Sequence, residues 1–227
     1  MKNKKFDELI KKMSTCDKCL SLKNKNGKDC SLINIYKNEE FCKNIPSIWT
    51  DWYNRLETDI MIIGQDWGPY NEMNKFYTEY IKNKSKENWK KLIDSEKSLT
   101  KKMLEKYLIE SALICNIKID KNYIDKIFVT NAIMCARKGD NYRGDNIKLK
   151  TSTFNCSNNL LEQINIVKPK IILTLVYYPL FSLSKIFNFE IRKNLTETLK
   201  ERNIIKINNY TIIPLYHPTA QIKKKFN

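Results

Sequence analysis

Three side chains able to do chemistry each stand at the end of a short apolar run. Asp66 follows DIMIIG and Gln65, Asn131 closes KIFVTN, and His217, the one histidine in 227 residues, follows YTIIPLY. A fixed carboxylate stabilises developing positive charge, and an imidazole N–H stabilises developing negative charge. A primary amide offers a donor and an acceptor at once. The cysteines form a second constellation. Cys16 and Cys19 make a Cys-x-x-Cys pair, a spacing that lets two thiolates hold one metal ion or one cluster corner. Each motif also has a plain reading: Asp66 as a turn residue or helix cap, Asn131 as a backbone binder, His217 as a loop histidine.

The elements that must position these groups can be read from the apolar pattern. Strands are expected at 59–64, 126–131, 170–176 and 210–215. Phe6, Leu9, Ile10 and Met13 recur at helical spacing in 4–13. A helix is expected from about Leu99 to Cys115, another over 155–167 stopped by Pro169, and a short one over 179–188. Residues 14–50 read as an irregular cysteine-bearing segment, 82–98 as a solvated insertion and 139–153 as a polar loop. Short strands alternating with helices predict a single α/β domain over 1–227, a three-layer α/β/α arrangement around a central, mainly parallel four-stranded sheet. In such sheets the site lies at the carboxyl ends of the strands. An Asp, an Asn and a His then gather at one rim.

Composition sets limits on this. The formal net charge is +16, and only five of the basic residues are arginine. A basic chain attracts polyanions, nucleic acid above all. Lys, Asn and Ile abound together, as codon bias in an AT-rich genome would produce, so charge alone does not decide. The longest apolar run, 171–178, is interrupted by Thr174 and is too short to span a bilayer. No apolar signal core follows the first lysines. A cytoplasmic protein is expected, and in a reducing compartment seven cysteines point to metal or cluster ligation before disulfides.

Four segments, in order, resemble the uracil-DNA glycosylase superfamily, and its iron–sulfur class most closely. IIGQDWGPY (62–70) resembles the first active-site motif. FVTNAIMC (128–135) resembles the second strand of the iron–sulfur class, where an asparagine precedes a cluster cysteine by four positions, as Asn131 precedes Cys135. CSNNLLEQINIVKPKIILTL (156–175) resembles the segment from the last cluster cysteine to the third strand. PLYHPTA (214–220) resembles the His-Pro motif. The likeness covers roughly residues 14–222. Trp67 stands where the family usually has Pro or Ala, and the interval from Cys135 to Cys156 is longer than expected.

The resemblance implies a monomeric, monofunctional glycosylase that flips uracil or a related deaminated base out of damaged DNA and hydrolyses its glycosidic bond. That reaction leaves an oxocarbenium-like sugar and an anionic base. Asp66 would steady the cation and orient water, and His217 would donate to the leaving base. Asn131 would read the base edge beside Gln65, and an aromatic would stack on the base, Phe76 first, with Tyr70 and Tyr77 as rivals. Thr219, Ile222, Lys223, Lys224 and Lys225 would meet DNA, Ile222 as the wedge; a solvated lysine tail is the plain alternative.

For the cysteines the resemblance selects Cys16, Cys19, Cys135 and Cys156 as ligands of a [4Fe–4S] cluster. The local alternative is zinc on Cys16, Cys19, Cys30 and Cys42. In the cluster reading Cys30 and Cys42 are spare thiols, and Cys115 lies in a helix core. Two rival functions stay open. One is a non-catalytic or covalently DNA-attaching nucleic-acid-binding member of the same fold. The other is a zinc-ribbon interaction protein.

Overall fold

Apolar runs with no polar face pair best where both faces of a sheet are covered, and that is where these runs go. A computed structural model describes residues 1–37, 52–71, 74, 75, 78, 82, 99–114, 126–138 and 148–220. Its helices are α1 (Lys2–Ser14), α2 (Leu99–Ile114), α3 (Leu149–Val167), α4 (Tyr177–Ile186) and α5 (Leu195–Glu201). Its strands are β1 (Leu32–Ile33), β2 (Ile60–Gly64), β3 (Ile127–Asn131), β4 (Ala136–Arg137), β5 (Ile171–Leu175), β6 (Ile205–Ile207) and β7 (Tyr210–Leu215).

The central sheet has the order β3-β2-β5-β7-β6. The four expected strands are its parallel body, with Ile60 opposite both Ile127 and Ile171, and Ile171 opposite Thr211. A fifth strand, β6, adds to the expected four as an antiparallel edge, with Ile207 opposite Tyr210. The two residues between β6 and β7 make the turn, with Asn208 at φ 52. A separate two-stranded ribbon pairs β1 with β4, Leu32 opposite Arg137.

Alternate side chains of the strands feed two cores. Met61, Ile63, Phe128, Ile172 and Ile212 pack against α1, α3, α4 and α5. Ile60, Ile62, Ile127, Val129, Leu173 and Leu175 pack with Leu104 and Leu108 of α2. The result is the three-layer α/β/α fold. Trp52 is wholly buried in the larger core, and its indole N–H donates to the Val129 carbonyl at 2.7 Å. Among the described residues, no helix is long and apolar enough to cross a membrane.

Helix α3 begins six residues before the expected start, so 149–153, read as loop, is helical. Ser152 and Thr153 are wholly buried, on the same inward stripe as Cys156, Leu160, Gln163 and Ile164. Small hydroxyl side chains fill that stripe without an apolar signal. The helix ends at Lys168, φ 57, one residue before Pro169, so the left-handed residue and the proline end it together. Helix α5 lacked apolar periodicity. It starts on an Asn N-cap: the Asn194 side-chain oxygen accepts from Glu197 N–H, and its amide nitrogen donates to the Glu197 carboxylate, both at 2.9 Å.

Candidate active site

The order in which strands are added reverses between β2 and β5, which run parallel. From β2 the chain passes to β3 on one side, and from β5 it passes towards β7 on the other. The crevice outside their carboxyl ends is where a ligand binds in open α/β sheets. Asp66 lies two residues past the end of β2, Asn131 ends β3 opposite Gly64, and His217 lies two residues past the end of β7. The three expected groups therefore share one rim. With strands about 4.8 Å apart, Asn131 sits one strand from β2, and His217 two strands from it on the other side.

Asp66 is held from three directions. Its Oδ1 accepts from Gly68 N–H at 2.7 Å and lies 3.0 Å from Arg137 Nε. Its Oδ2 accepts from Gln65 Nε2 at 2.9 Å. The side chain is only 4% exposed. A carboxylate has about four acceptor positions, so Oδ2 retains one for a water or a substrate hydroxyl. Gly68 can make this turn because it takes φ +80. Gln65 thus faces Asp66 with its amide nitrogen. Arg137 carried no signal in the sequence reading; only its place two residues after Cys135 could have drawn attention to it.

Asn131 is buried, and its side-chain oxygen packs directly on Gly64. A Cβ at position 64 would collide with it. The glycine is there for close approach: it lets the amide lie flat against the end of β2. Trp67, the departure from the family pattern, folds inward and meets Trp52 edge to face at 5.7 Å. Tyr70 is half-buried against the same core. Phe76, Tyr77, Ile222, Lys223, Lys224 and Lys225 lie outside the described residues.

His217 is half-buried, in a turn supported by α2: Tyr107 donates to the Pro218 carbonyl at 3.4 Å. Its Nδ1 is 2.7 Å from Thr219 Oγ1 and accepts from Thr219 N–H at 3.3 Å. A backbone amide only donates, so Nδ1 is an acceptor and the neutral ring carries its proton on Nε2. Burial lowers the pKa of the ring below the usual 6.5 and keeps it neutral. Thr219, expected at the DNA, turns both its hydroxyl and its amide onto His217. Between β5 and α4, Val176 takes φ 73 and ψ −175, and its N–H donates to the Leu215 carbonyl at 2.9 Å. That bond ties the rim of β5 to the strand that delivers His217.

The Cys19 thiol lies beside that of Cys156, and the Cys135 thiol lies within electrostatic reach of Cys16, Cys19 and Cys156. The Cys19 thiol pKa is lowered, chiefly by a hydrogen bond from Cys156, whose own is raised. Burial, and then the charges of Cys19 and Cys16, push Cys135 up to about 12. Amides point at the sulfurs: Met134 N–H reaches Cys156 Sγ at 3.4 Å and Asn155 Nδ2 reaches Cys19 Sγ at 3.5 Å. Among the described residues, no three Cys, His, Asp or Glu side chains close in on a single metal ion. Cys30 is buried and its thiol donates to the Lys28 carbonyl. Cys42 and Cys115 lie outside the described residues.

A family model described as the uracil DNA glycosylase superfamily matches residues 50–227. The matched span holds Asp66, Asn131, His217, Cys135 and Cys156, while Cys16 and Cys19 precede it. No curated protein matches the chain.

Proposed function

Because the chain belongs to the uracil DNA glycosylase superfamily, we propose that it is a monomeric, monofunctional DNA-repair glycosylase that excises uracil or a related deaminated base. The base is flipped from the stack and stacked on an aromatic, Phe76 or Tyr70. Asn131, with Gln65 beside it, reads the base edge. Asp66 stabilises the cationic sugar and directs a water from its remaining acceptor position. His217 donates from Nε2 to the base oxygen as the bond breaks. After the His-Pro turn, Ile222 enters the duplex as the wedge and Lys223, Lys224 and Lys225 face the phosphates.

The observation that carries this reading is the Thr219 N–H aimed at His217 Nδ1, which favours the tautomer with its proton on Nε2. An imidazole that accepts at Nδ1 is held ready to donate at Nε2, as stabilisation of an anionic leaving base requires. Removing such a donor costs on the order of 10²–10³-fold in rate. The test uses an end-labelled oligonucleotide with one uracil, followed by alkali, with Asp66→Asn and His217→Ala assayed beside the wild type. Cleavage that collapses in both variants supports the proposal. The binding-only reading draws on a specific feature: the Asp66 carboxylate is almost buried and caps a turn. DNA binding without product on uracil or hypoxanthine, in single and double strands, would favour it.

For the cysteines we favour a [4Fe–4S] cluster held by Cys16, Cys19, Cys135 and Cys156. A cubane spreads four thiolates over four irons, whereas zinc draws all of its ligands onto one ion. Cys135 and Cys156, which lie close to Cys19 in the fold, belong to the cluster set and not to the zinc set. Burial that penalises bare thiolates, and N–H groups aimed at sulfur, suit sulfurs that bind iron. When bound, the cluster supplies a cross-link between the N-terminal segment and the body, and no step of base excision passes through it.

A further inference from the structure

Asp66 does not hold its place unaided. Arg137 Nε lies 3.0 Å from Asp66 Oδ1, and the two side chains are 14 and 4% exposed. The backbone of Arg137 grips the same loop. Its N–H donates to the Gly68 carbonyl at 2.9 Å, and it bridges to Pro69. Arg137 is in turn fixed by the ribbon, where it stands opposite Leu32. The Leu32 N–H donates to the Cys19 carbonyl at 2.8 Å. A continuous path of main-chain and charged contacts therefore runs from the cysteine-bearing segment through β1 and β4 to the carboxylate at the rim.

We infer that Arg137 is the positioning residue of Asp66, and that it transmits the order of the cysteine-bearing segment to the active-site loop. The inference rests on the glycosylase reading for what Asp66 does. A carboxylate that has lost its cation in so dry a place turns towards water. A displacement of about 1 Å at a reacting group costs about 10²-fold in rate. Arginine suits the place better than lysine, because its planar, weakly hydrated guanidinium holds a carboxylate in a fixed geometry.

The test is a double-mutant cycle on the full chain, with kcat and KM measured on the uracil oligonucleotide. Wild type, Arg137→Ala, Asp66→Asn and the double variant are compared, with Arg137→Lys as the conservative variant. Arg137→Ala is expected to lose about 10²-fold in kcat, with KM changed less than about threefold. In the Asp66→Asn background the same change should cost almost nothing, and Arg137→Lys should recover part of the loss. A loss from misfolding multiplies with that of Asp66→Asn, so multiplicative losses overturn the inference. So does Arg137→Ala with wild-type kcat. Should Arg137→Ala fail to fold by circular dichroism, Arg137→Lys carries the same cycle. Wild-type cleavage tests the glycosylase reading separately. If the wild type is inactive, thermal midpoints of the same proteins decide: sub-additive shifts retain Arg137 as the residue holding Asp66, and additive shifts overturn it.

Discussion

Gly64→Ala is the sharpest probe of the rim. Gly64 is buried at the end of β2 with no left-handed φ, so its backbone accepts alanine. At an ordinary strand position that change stabilises by about 0.5–1 kcal/mol, because glycine loses more entropy on folding. Here the new methyl would run into Asn131 Oδ1. Overpacking of that kind typically costs about 1–3 kcal/mol, so the net effect in the wild type is destabilising. For a chain of this size it lowers the melting temperature by roughly 2–4 °C per kcal/mol. In an Asn131→Ala background the colliding amide is gone. The nearest remaining neighbour of the methyl is the Thr130 carbonyl at 3.7 Å, an ordinary contact. There the sign should invert, and Gly64→Ala should raise the midpoint of Asn131→Ala. Calorimetry on the four proteins reads both effects. A Gly64→Ala protein as stable as the wild type, or the same sign in both backgrounds, refutes the idea that Gly64 exists to seat Asn131. Base excision should follow, with Gly64→Ala losing activity even where the protein is folded.

Three further outcomes are expected. Val176 holds a backbone region almost reserved for glycine, which costs about 1–3 kcal/mol; Val176→Gly should therefore be more stable than Val176→Ala, the reverse of the usual order, in chemical denaturation. The pKa of His217 is lowered by burial, so on acidification the unfolded chain takes up the proton first, beginning near 6.5. The His217 contribution to stability is complete above that pH and lost as pH falls through the lower folded value. His217→Gln should show a flatter fall between pH 7 and 5 in thermal scans, and wild-type excision should persist below pH 6.5 before falling. Finally, anaerobically purified protein should be brown with visible absorbance. Cys135→Ser and Cys156→Ser should be colourless and melt several degrees lower, whereas colourless wild-type protein with stoichiometric zinc would replace the cluster by an ion.

The fold was legible where burial is one-sided in chemistry. Continuous apolar runs such as IMIIG and IFVTN need cover on both faces, and that alone predicts a parallel sheet with helices on either side. What escaped the pattern was held by something other than apolar period. Helix α5 rests on Asn194 and Glu197, a capping signal that carries no apolar period. The start of α3 is buried through Ser152 and Thr153, whose hydroxyls read as loop. Strand β6 has too few residues to show alternation. At the site, Asp66, Asn131 and His217 were visible because each follows a strand and matches a motif order. Arg137 was not, because its partner lies 71 positions earlier and only the tertiary fold brings them together. Thr219 was read for its hydroxyl towards DNA, and a local turn claims that hydroxyl for His217.

Helix α1 has a consequence for how the chain is made. Phe6, Leu9, Ile10 and Met13 belong to the main core, and Lys2 Nζ bonds the Val167 carbonyl at 3.1 Å across 165 positions. Helix α1 thus leaves the ribosome well before α3, its main helical partner. Contacts so distant in sequence are slow to form. Until about residue 167 has emerged, the part of its apolar stripe that packs on α3 waits uncovered. Chains halted midway through synthesis would then offer chaperones, and one another, a surface that the finished protein hides.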